Sequence, residues 1–291
     1  MLRHKTSRDD LICCFSEVSI HNSYLLSVAN FPKGLEMLNA LRSLWIWFAS
    51  AVIIAAWLPL IAVSRLFERD PVHYRTGRLF RTVGIALAKA NPSWRIVVSG
   101  ENIENPRKPY VVVSNHQSMA DIPIVSHLPW EMKWLGKVEL FRLPIIGWMM
   151  KLAGDIPVER GNKRKSAQAF IHALKYLEQH CSVMFFPEGT RSIDGRVQCF
   201  ADGAFQLAIK AKVAILPVAL DGSFDCLPKK NWKFGPPLTI QIKVLPPVDT
   251  SSFTLEDVAV LREKVRQMII QQVAEWRQTD PAAVDAPATT G

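Results

Sequence analysis

Cysteine is scarce in this chain, and acid is outnumbered by base. The five cysteines among 291 residues (Cys13, Cys14, Cys181, Cys199 and Cys226) are odd in number and lack metal-ligand spacing. That argues against a disulfide framework or a structural zinc site, and for free thiols in a reducing compartment. Aspartate and glutamate number 26 against 35 lysines and arginines, giving a net charge of +9. Such a balance suits nucleic acid or an anionic membrane surface. The long apolar run at residues 44–63 decides for the membrane surface, and no zinc-finger spacing or RNP-type aromatic strand reopens the case for nucleic acid. No internal repeat is visible, and the length fits one large domain.

What is present is a long uncharged run. Residues 44–63, "LWIWFASAVIIAAWLPLIAV", carry no charge over twenty positions. As a helix they span about 30 Å, the thickness of a bilayer's hydrocarbon core. Trp45, Trp47 and Trp57 lie towards the two ends, where aromatic rings favour the interface. The run is too long and starts too far from Met1 for a cleaved signal peptide. Pro59 is a point where the helix is expected to kink or end, which keeps a re-entrant insertion open beside a full crossing. Arg65, Arg69, Arg75, Arg78 and Arg81 follow the run, against Lys33 and Arg42 before it. The positive-inside rule then places the C-terminal part in the cytoplasm.

The chain divides into an N-terminal extension (1–36) expected to be poorly ordered, a membrane anchor (37–66), one domain (67–278) and a tail (279–291) expected to be disordered. Met37, which opens a short basic lead into the apolar run, is an alternative start; an N-terminal mass measurement decides it. Residues 76–90 read as a basic amphipathic helix with Leu79, Phe80, Val83 and Leu87 on one stripe, fit to lie at the membrane interface. Strand patterns follow at 94–100, 110–115, 182–186, 213–220 and 238–245. Between them, residues 166–180 place Ala167, Phe170, Ile171, Leu174 and Leu177 at helical spacing, and residues 203–212 behave alike. Thr254 to Asp257 form a capping box for a helix to about Arg277. Strands alternating with helices predict an α/β fold: a mixed, largely parallel sheet flanked by helices and preceded by a membrane helix, with the site in loops at strand ends.

The chemistry concentrates in "VVVSNHQSMADIP" (111–123). His116 and Asp121 are five apart, about 140° on a helix and on opposite faces of a strand. They meet only if the chain turns between them. Asp121 as a helix N-cap with His116 a loop residue is one reading. The other makes His116 a general base whose second ring nitrogen is held by Asp121. Ser118 lacks the Gly-x-Ser-x-Gly elbow of a nucleophile, and no second ligand at metal spacing stands nearby, so no metal is expected. A second segment, "MFFPEGTRS" (184–192), runs from a buried strand into Glu188, Gly189, Thr190, Arg191 and Ser192. Gly189 permits a sharp turn, and Arg191 offers a donor fork suited to phosphate. A third, "GDIPVERGNKRKS" (154–166), holds Arg160 after a short extended stretch and then a solvated basic cluster. A fourth, "ILPVAL" (215–220), is apolar around Pro217.

Taken in this order, the four segments resemble the motifs of the glycerolipid acyltransferase family over roughly residues 75–250, and the 1-acylglycerol-3-phosphate acyltransferases within it. "NHQSMAD" matches the family's Asn-His-x-Ser-x-x-Asp pattern, and "FPEGTRS" reproduces its third block without a gap. "GDIPVERG" and "ILPVAL" are similar to the second and fourth. Pro157 stands where the family usually has an aromatic or aliphatic residue, and Glu159 replaces a more usual Asp. The resemblance implies acyl transfer from an acyl-CoA or acyl carrier protein thioester to the sn-2 hydroxyl of lysophosphatidate. His116 would be the base and Asp121 its orienter. Arg160, Arg191, Glu188, Gly189 and Thr190 would receive the acceptor's phosphate, Lys137 would sit near the phosphate or oxyanion, and Pro217 by the acyl donor. No bound cofactor or metal is implied. Other acceptor lipids, a thioesterase and a non-catalytic lipid-binding protein stay open as alternatives.

Overall fold

A computed structural model describes residues 33–159, 161–227 and 231–287, the first three by backbone alone. Residues 1–32, Arg160 and the chain after Pro287 therefore lie outside the described residues, and with them most of the expected N-terminal extension and the expected Arg160 site. The residues up to Trp45 cluster as a unit of their own. There the start of helix α1 is tied internally by Arg42, which donates to the Asn39 side chain at 2.7 Å.

Helix α1 (Lys33–Phe67) is one continuous helix of 35 residues that runs through Pro59. It is about 52 Å long, well beyond the ~30 Å of a hydrocarbon core. Pro59 therefore neither ends nor divides the helix. Its exposed side chains include Leu44, Trp45, Trp47, Phe48, Val52, Leu60 and Val63. The other side of its second half, Ile53, Ile54, Trp57, Leu58 and the fully buried Ile61, packs on helices α2 (Tyr74–Lys89) and α4 (Ile146–Ala153).

That packing corrects the expectation for residues 76–90. The Leu79, Phe80, Val83 and Leu87 stripe covers α1 rather than a membrane interface. The opposite side of α2, with Thr76, Gly77, Arg81 and Gly84, is buried as well.

The domain is built on a seven-stranded sheet in the order β1-β7-β6-β2-β5-β3-β4, parallel except for the antiparallel pair β6–β7. The strands are β1 (Trp94–Gly100), β2 (Val111–Ser114), β3 (Met132–Lys137), β4 (Ile156–Val158), β5 (Ser182–Phe185), β6 (Ile215–Asp221) and β7 (Leu238–Val244). Every residue of β2 is buried, as a central strand covered on both faces requires. Val111 and Val113 join one core with Ile215 and Ala219. Val112 points the other way, to Leu216, Val218 and Leu220. Helices α5 (Lys163–Glu178), α6 (Gly203–Ala211) and α7 (Val258–Arg277) contribute to the first core, and the short helix α3 (Asp121–Val125) to the second.

Two strands lie outside the five strand patterns read in the sequence, although β4 coincides with the short extended stretch before Arg160. In β3 the sequence MKWLGK places Lys133 at a fully buried position. Its ammonium is satisfied by Glu131 (3.0 Å), the carbonyl of Ala153 (2.7 Å) and the carbonyl of His73 (3.2 Å). Arg81 joins the cluster, paired with Asp155 and, at 3.5 Å, with Glu131. A buried charge so compensated passes for a surface position in a linear sequence. β4 is only three residues long and lies at the sheet's edge. Pro157 sits there exposed, where its missing N–H costs no ladder bond and discourages pairing with another strand.

The α5 stripe also differs from expectation. Ala169, Ala173, Tyr176 and Leu177 are buried, whereas Ile171 is exposed, because alanines let the helix approach the sheet closely. The capping box at Thr254 and Asp257 is present and leads through one 3-10 turn into α7. Within the described part of the segment expected to be a disordered tail, Pro281–Val284 form helix α8. There Val284 is buried and Asp285 pairs with Arg266 of α7.

Candidate active site

β2 ends with β6 on one side and β5 on the other, all three parallel. Their following loops therefore emerge together at the carboxyl ends of the strands, where open α/β sheets place their ligands. Asn115 fastens two of these ends. Its side-chain amide donates to the Leu220 carbonyl and accepts from the Leu220 N–H, both at 2.9 Å. Beyond Asn115 the chain turns sharply, and the Asp121 N–H reaches the Ser118 carbonyl at 3.2 Å.

This turn brings His116 and Asp121 together. His116 Nδ1 lies 2.6 Å from Asp121 Oδ2. The same oxygen accepts the backbone N–H groups of Gln117 (2.7 Å) and Ser118 (2.9 Å). Asp121 is fully buried while the His116 side chain keeps 14% of its surface exposed. A carboxylate surrounded by donors acts as an acceptor. Nδ1 therefore carries the ring proton and Nε2 is left with a free lone pair. The His116 ring also stacks on Phe186, with centroids 4.2 Å apart, which restricts its rotation. The N-cap alternative for Asp121 does not describe this geometry. Asp121 is the first residue of α3, the cap is Ala120, and no side chain caps the helix. Ser118 is buried, and its hydroxyl accepts the Ala120 N–H at 3.3 Å as a local turn bond.

The loop after β5 supplies the second wall. Gly189, with φ +72°, turns the chain, and its N–H bonds the Phe186 carbonyl at 3.0 Å. Glu188 Oε1 accepts the backbone N–H of His116 at 2.8 Å. Two positions after Gly189's neighbour, Ser192 donates its own N–H to the His116 carbonyl at 2.8 Å. His116 is thus held through backbone and ring alike. Burial pushes the Glu188 carboxyl up to about 8, only partly offset by the backbone N–H groups of His116 and Gln198.

Arg191 is half-buried, and with Gln117, Ser192, Ile193 and Phe224 it lines a small cavity of about 110 Å³ beside the His116 loop. Thr190 is exposed. Lys137 ends β3, exposed and two strands from β2, a lateral distance of about 10 Å at ~4.8 Å per strand. Pro217 is buried inside the sheet opposite Val113. Ile215 bonds Val248, and the Leu245 N–H reaches the Pro217 carbonyl at 2.9 Å. Pro217's missing N–H thus falls on the side of the Pro246-Pro247 segment, where regular pairing with β7 has not yet begun. A larger cavity, about 560 Å³, lies elsewhere, at the open edge of β4 between Arg142, Lys151, Lys175 and His73. It holds neither His116 nor Asp121. Among the described residues, no group of three His, Cys, Asp or Glu side chains gathers to hold a metal.

The sequence reading missed Ser223, Phe186 and the amides of Asn115 and Gln117. Gln117 Nε2 reaches Asp221 at 3.2 Å, and Asp221 is in turn gripped by Arg277 at 2.6 Å, so the end of α7 braces the loop. Asn115 and Gln117 flank the marked histidine, and Gly222-Ser223 follows an apolar strand. Only the pairing of β2 with β6 gives those neighbours a role.

Several known proteins are similar to this chain as a whole. A model of the family described as Acyltransferase matches residues 95–221. The chain is 38% identical over 249 residues to a 1-acyl-sn-glycerol-3-phosphate acyltransferase of Chlamydomonas reinhardtii, covering 83% of this chain and 73% of that protein. It is 32% identical over 208 residues to a chloroplastic 1-acyl-sn-glycerol-3-phosphate acyltransferase of Arabidopsis thaliana, covering 69% of this chain and 57% of that one. The crystal structure of the 1-acyl-sn-glycerophosphate acyltransferase PlsC from Thermotoga maritima superposes with a TM-score of 0.69 at 26% identity. That match covers 83% of this chain and 97% of the other.

Proposed function

Because this chain belongs to the 1-acyl-sn-glycerol-3-phosphate acyltransferase family, we propose that it transfers an acyl group from an acyl thioester to the sn-2 hydroxyl of lysophosphatidate, forming phosphatidate. The observation that carries this reading is the contact between His116 Nδ1 and a fully buried Asp121, which leaves Nε2 as the base. Nε2 takes the hydroxyl proton as the oxygen attacks the thioester carbon. The tetrahedral oxyanion then collapses, the carbon–sulfur bond breaks, and the thiolate recovers the proton from the imidazolium. Asp121 stabilises that imidazolium throughout. General-base assistance supplies about 10²–10⁴-fold, so positioning of the acceptor and stabilisation of the oxyanion carry the remainder. Arg191, which lines the small cavity beside the His116 loop, is assigned the acceptor's phosphate, with Arg160 and Lys137 as further anion contacts.

The donor is coenzyme A or acyl carrier protein. A thiolate is a good leaving group, so the chemistry requires neither an acyl-enzyme nor a metal. The exposed apolar side of α1 associates the protein with the membrane that holds its lipid substrates. The arginines that follow α1 orient the domain to the cytoplasmic, anionic leaflet.

Thiol release from oleoyl-coenzyme A by membranes containing the protein, with and without lysophosphatidate, tests the proposal. Release that depends on the acceptor and vanishes in His116→Ala is expected. Acceptor-independent release would identify a thioesterase. No release with either coenzyme A or carrier-protein donors, across a panel of lysolipids, would leave a lipid-binding protein.

A further inference from the structure

We propose that Ser223 is a positioning residue of the His116–Asp121 pair, its hydroxyl holding the second carboxylate oxygen of Asp121. The inference rests on the acyltransferase reading above. All three donors from the His116 loop, the ring Nδ1 and the N–H groups of Gln117 and Ser118, converge on Oδ2. Oδ1 is taken by the Ser223 hydroxyl. Asp121 and Ser223 are both fully buried, so bulk water cannot replace that donor if it is removed. Gln117 Oε1, at 3.3 Å, is the other acceptor within reach of the hydroxyl. A hydroxyl has one proton, and the charged, closer carboxylate is the stronger acceptor.

Ser223 is 102 positions from Asp121, and the fold delivers it by a defined route. β6 lies beside β2 with Val218 opposite Ser114 and runs three residues further, to Asp221. Gly222 then adopts φ +83°, in a place where a Cβ would stand 2.5 Å from the Thr239 carbonyl oxygen. That backbone, barred to other residues, bends the chain back over α3. The turn is closed by the Cys226 N–H on the Ser223 carbonyl at 3.1 Å, and the Gly235 N–H holds Cys226 in turn at 3.0 Å. The hydroxyl is therefore presented by backbone that is itself pinned, as preorganisation of a catalytic pair demands. Ser223 touches Asp121 and no reacting atom. Its effect is to fix the carboxylate plane, and through it the direction of His116 Nε2.

The test compares Ser223→Ala, Ser223→Thr and Ser223→Cys in the full chain in membranes, with kcat and KM for oleoyl-coenzyme A and lysophosphatidate, and with melting midpoints. Loss of a hydrogen bond to a buried charge predicts a kcat about 10–100-fold lower in Ser223→Ala, with both KM values within about twofold of wild type. Threonine keeps the hydroxyl and is expected to retain most of kcat. Cysteine keeps the volume but is a weak donor, and is expected to fall with alanine. A packing role predicts the opposite order, with cysteine near wild type and the larger threonine impaired. If alanine fails to fold, the threonine–cysteine comparison decides alone. The proposal is overturned by unchanged kcat in Ser223→Ala, by a loss confined to KM, or by the reversed order. Wild-type membranes without acceptor-dependent transfer would instead overturn the functional reading itself, and the positioning role with it.

Discussion

Burial pushes the Glu188 carboxyl up to about 8, from an ordinary value of 4.5, so near neutral pH it is mostly a neutral acid that still accepts the His116 N–H. The folded protein holds this proton more tightly than the unfolded chain does. Stability from this group is therefore greatest below pH 4.5 and declines as pH rises towards 8. Glu188→Gln keeps a neutral acceptor and is expected to retain activity while flattening the fall of the melting midpoint over that interval. Glu188→Ala is expected to lose activity at every pH, because the His116 N–H is left without its partner. Equal pH slopes in wild type and Glu188→Gln would show that the carboxyl ionises freely. Arg191→Ala is expected to raise KM for lysophosphatidate by about 10–100-fold, the cost of one charge-assisted phosphate contact, with little change in kcat. A rise confined to the thioester donor would assign Arg191 to the other substrate.

Among the secondary elements, the carboxyl end of the chain carries more structure than its composition implies. The stretch "TDPAAVDAPATTG" is low in apolar content, yet Val284 is fully buried, and the Ala286 N–H donates to the Val197 carbonyl while the Val197 N–H donates to the Val284 carbonyl, making an isolated bridge between Val197 and Asp285. Arg266, 5% exposed on α7, depends on Asp285 as well as on the carbonyls of Val197 and Gln198. Truncation after Thr279 is therefore expected to cost roughly 2–4 kcal/mol, measured as a lower denaturation midpoint. No change would return the tail to a dispensable role. β3 shows the complementary case. Its Lys133 and the adjacent Glu131 signal a surface strand or loop, but both are fully buried because Arg81 and Asp155 arrive from distant segments. Gly77 leaves the room: a Cβ there would lie 2.1 Å from Glu131 Oε1.

For the molecule as a whole, the second half of α1 exposes one apolar side and packs the other into the core. Leu60 and Val63 are exposed, while Ile61 between them is completely buried against α2 and α4. Deleting the chain through Phe67 would strip the cover from Leu79, Phe80, Val83, Ile146 and Met149. The shortened protein is expected to aggregate rather than emerge as a soluble enzyme, as read by size-exclusion chromatography in the absence of detergent. A monodisperse, active product would show α1 to be a simple tether.

Local pattern alone determined the α/β alternation, the apolar helix, the capped α7 and the four motif blocks that mark His116, Asp121, Glu188 and Arg191. Those features follow from periodicity and from residue types at short spacing, both present in the linear chain. Tertiary structure alone decided that Asp121 is a carboxylate partner rather than a cap, because its donors include Ser223 from another strand. It also decided that Lys133 is buried and that Val284 is ordered. Each of these depends on a partner supplied by strand order and helix packing, and a buried polar group carries no sign in sequence of the distant partner that satisfies it.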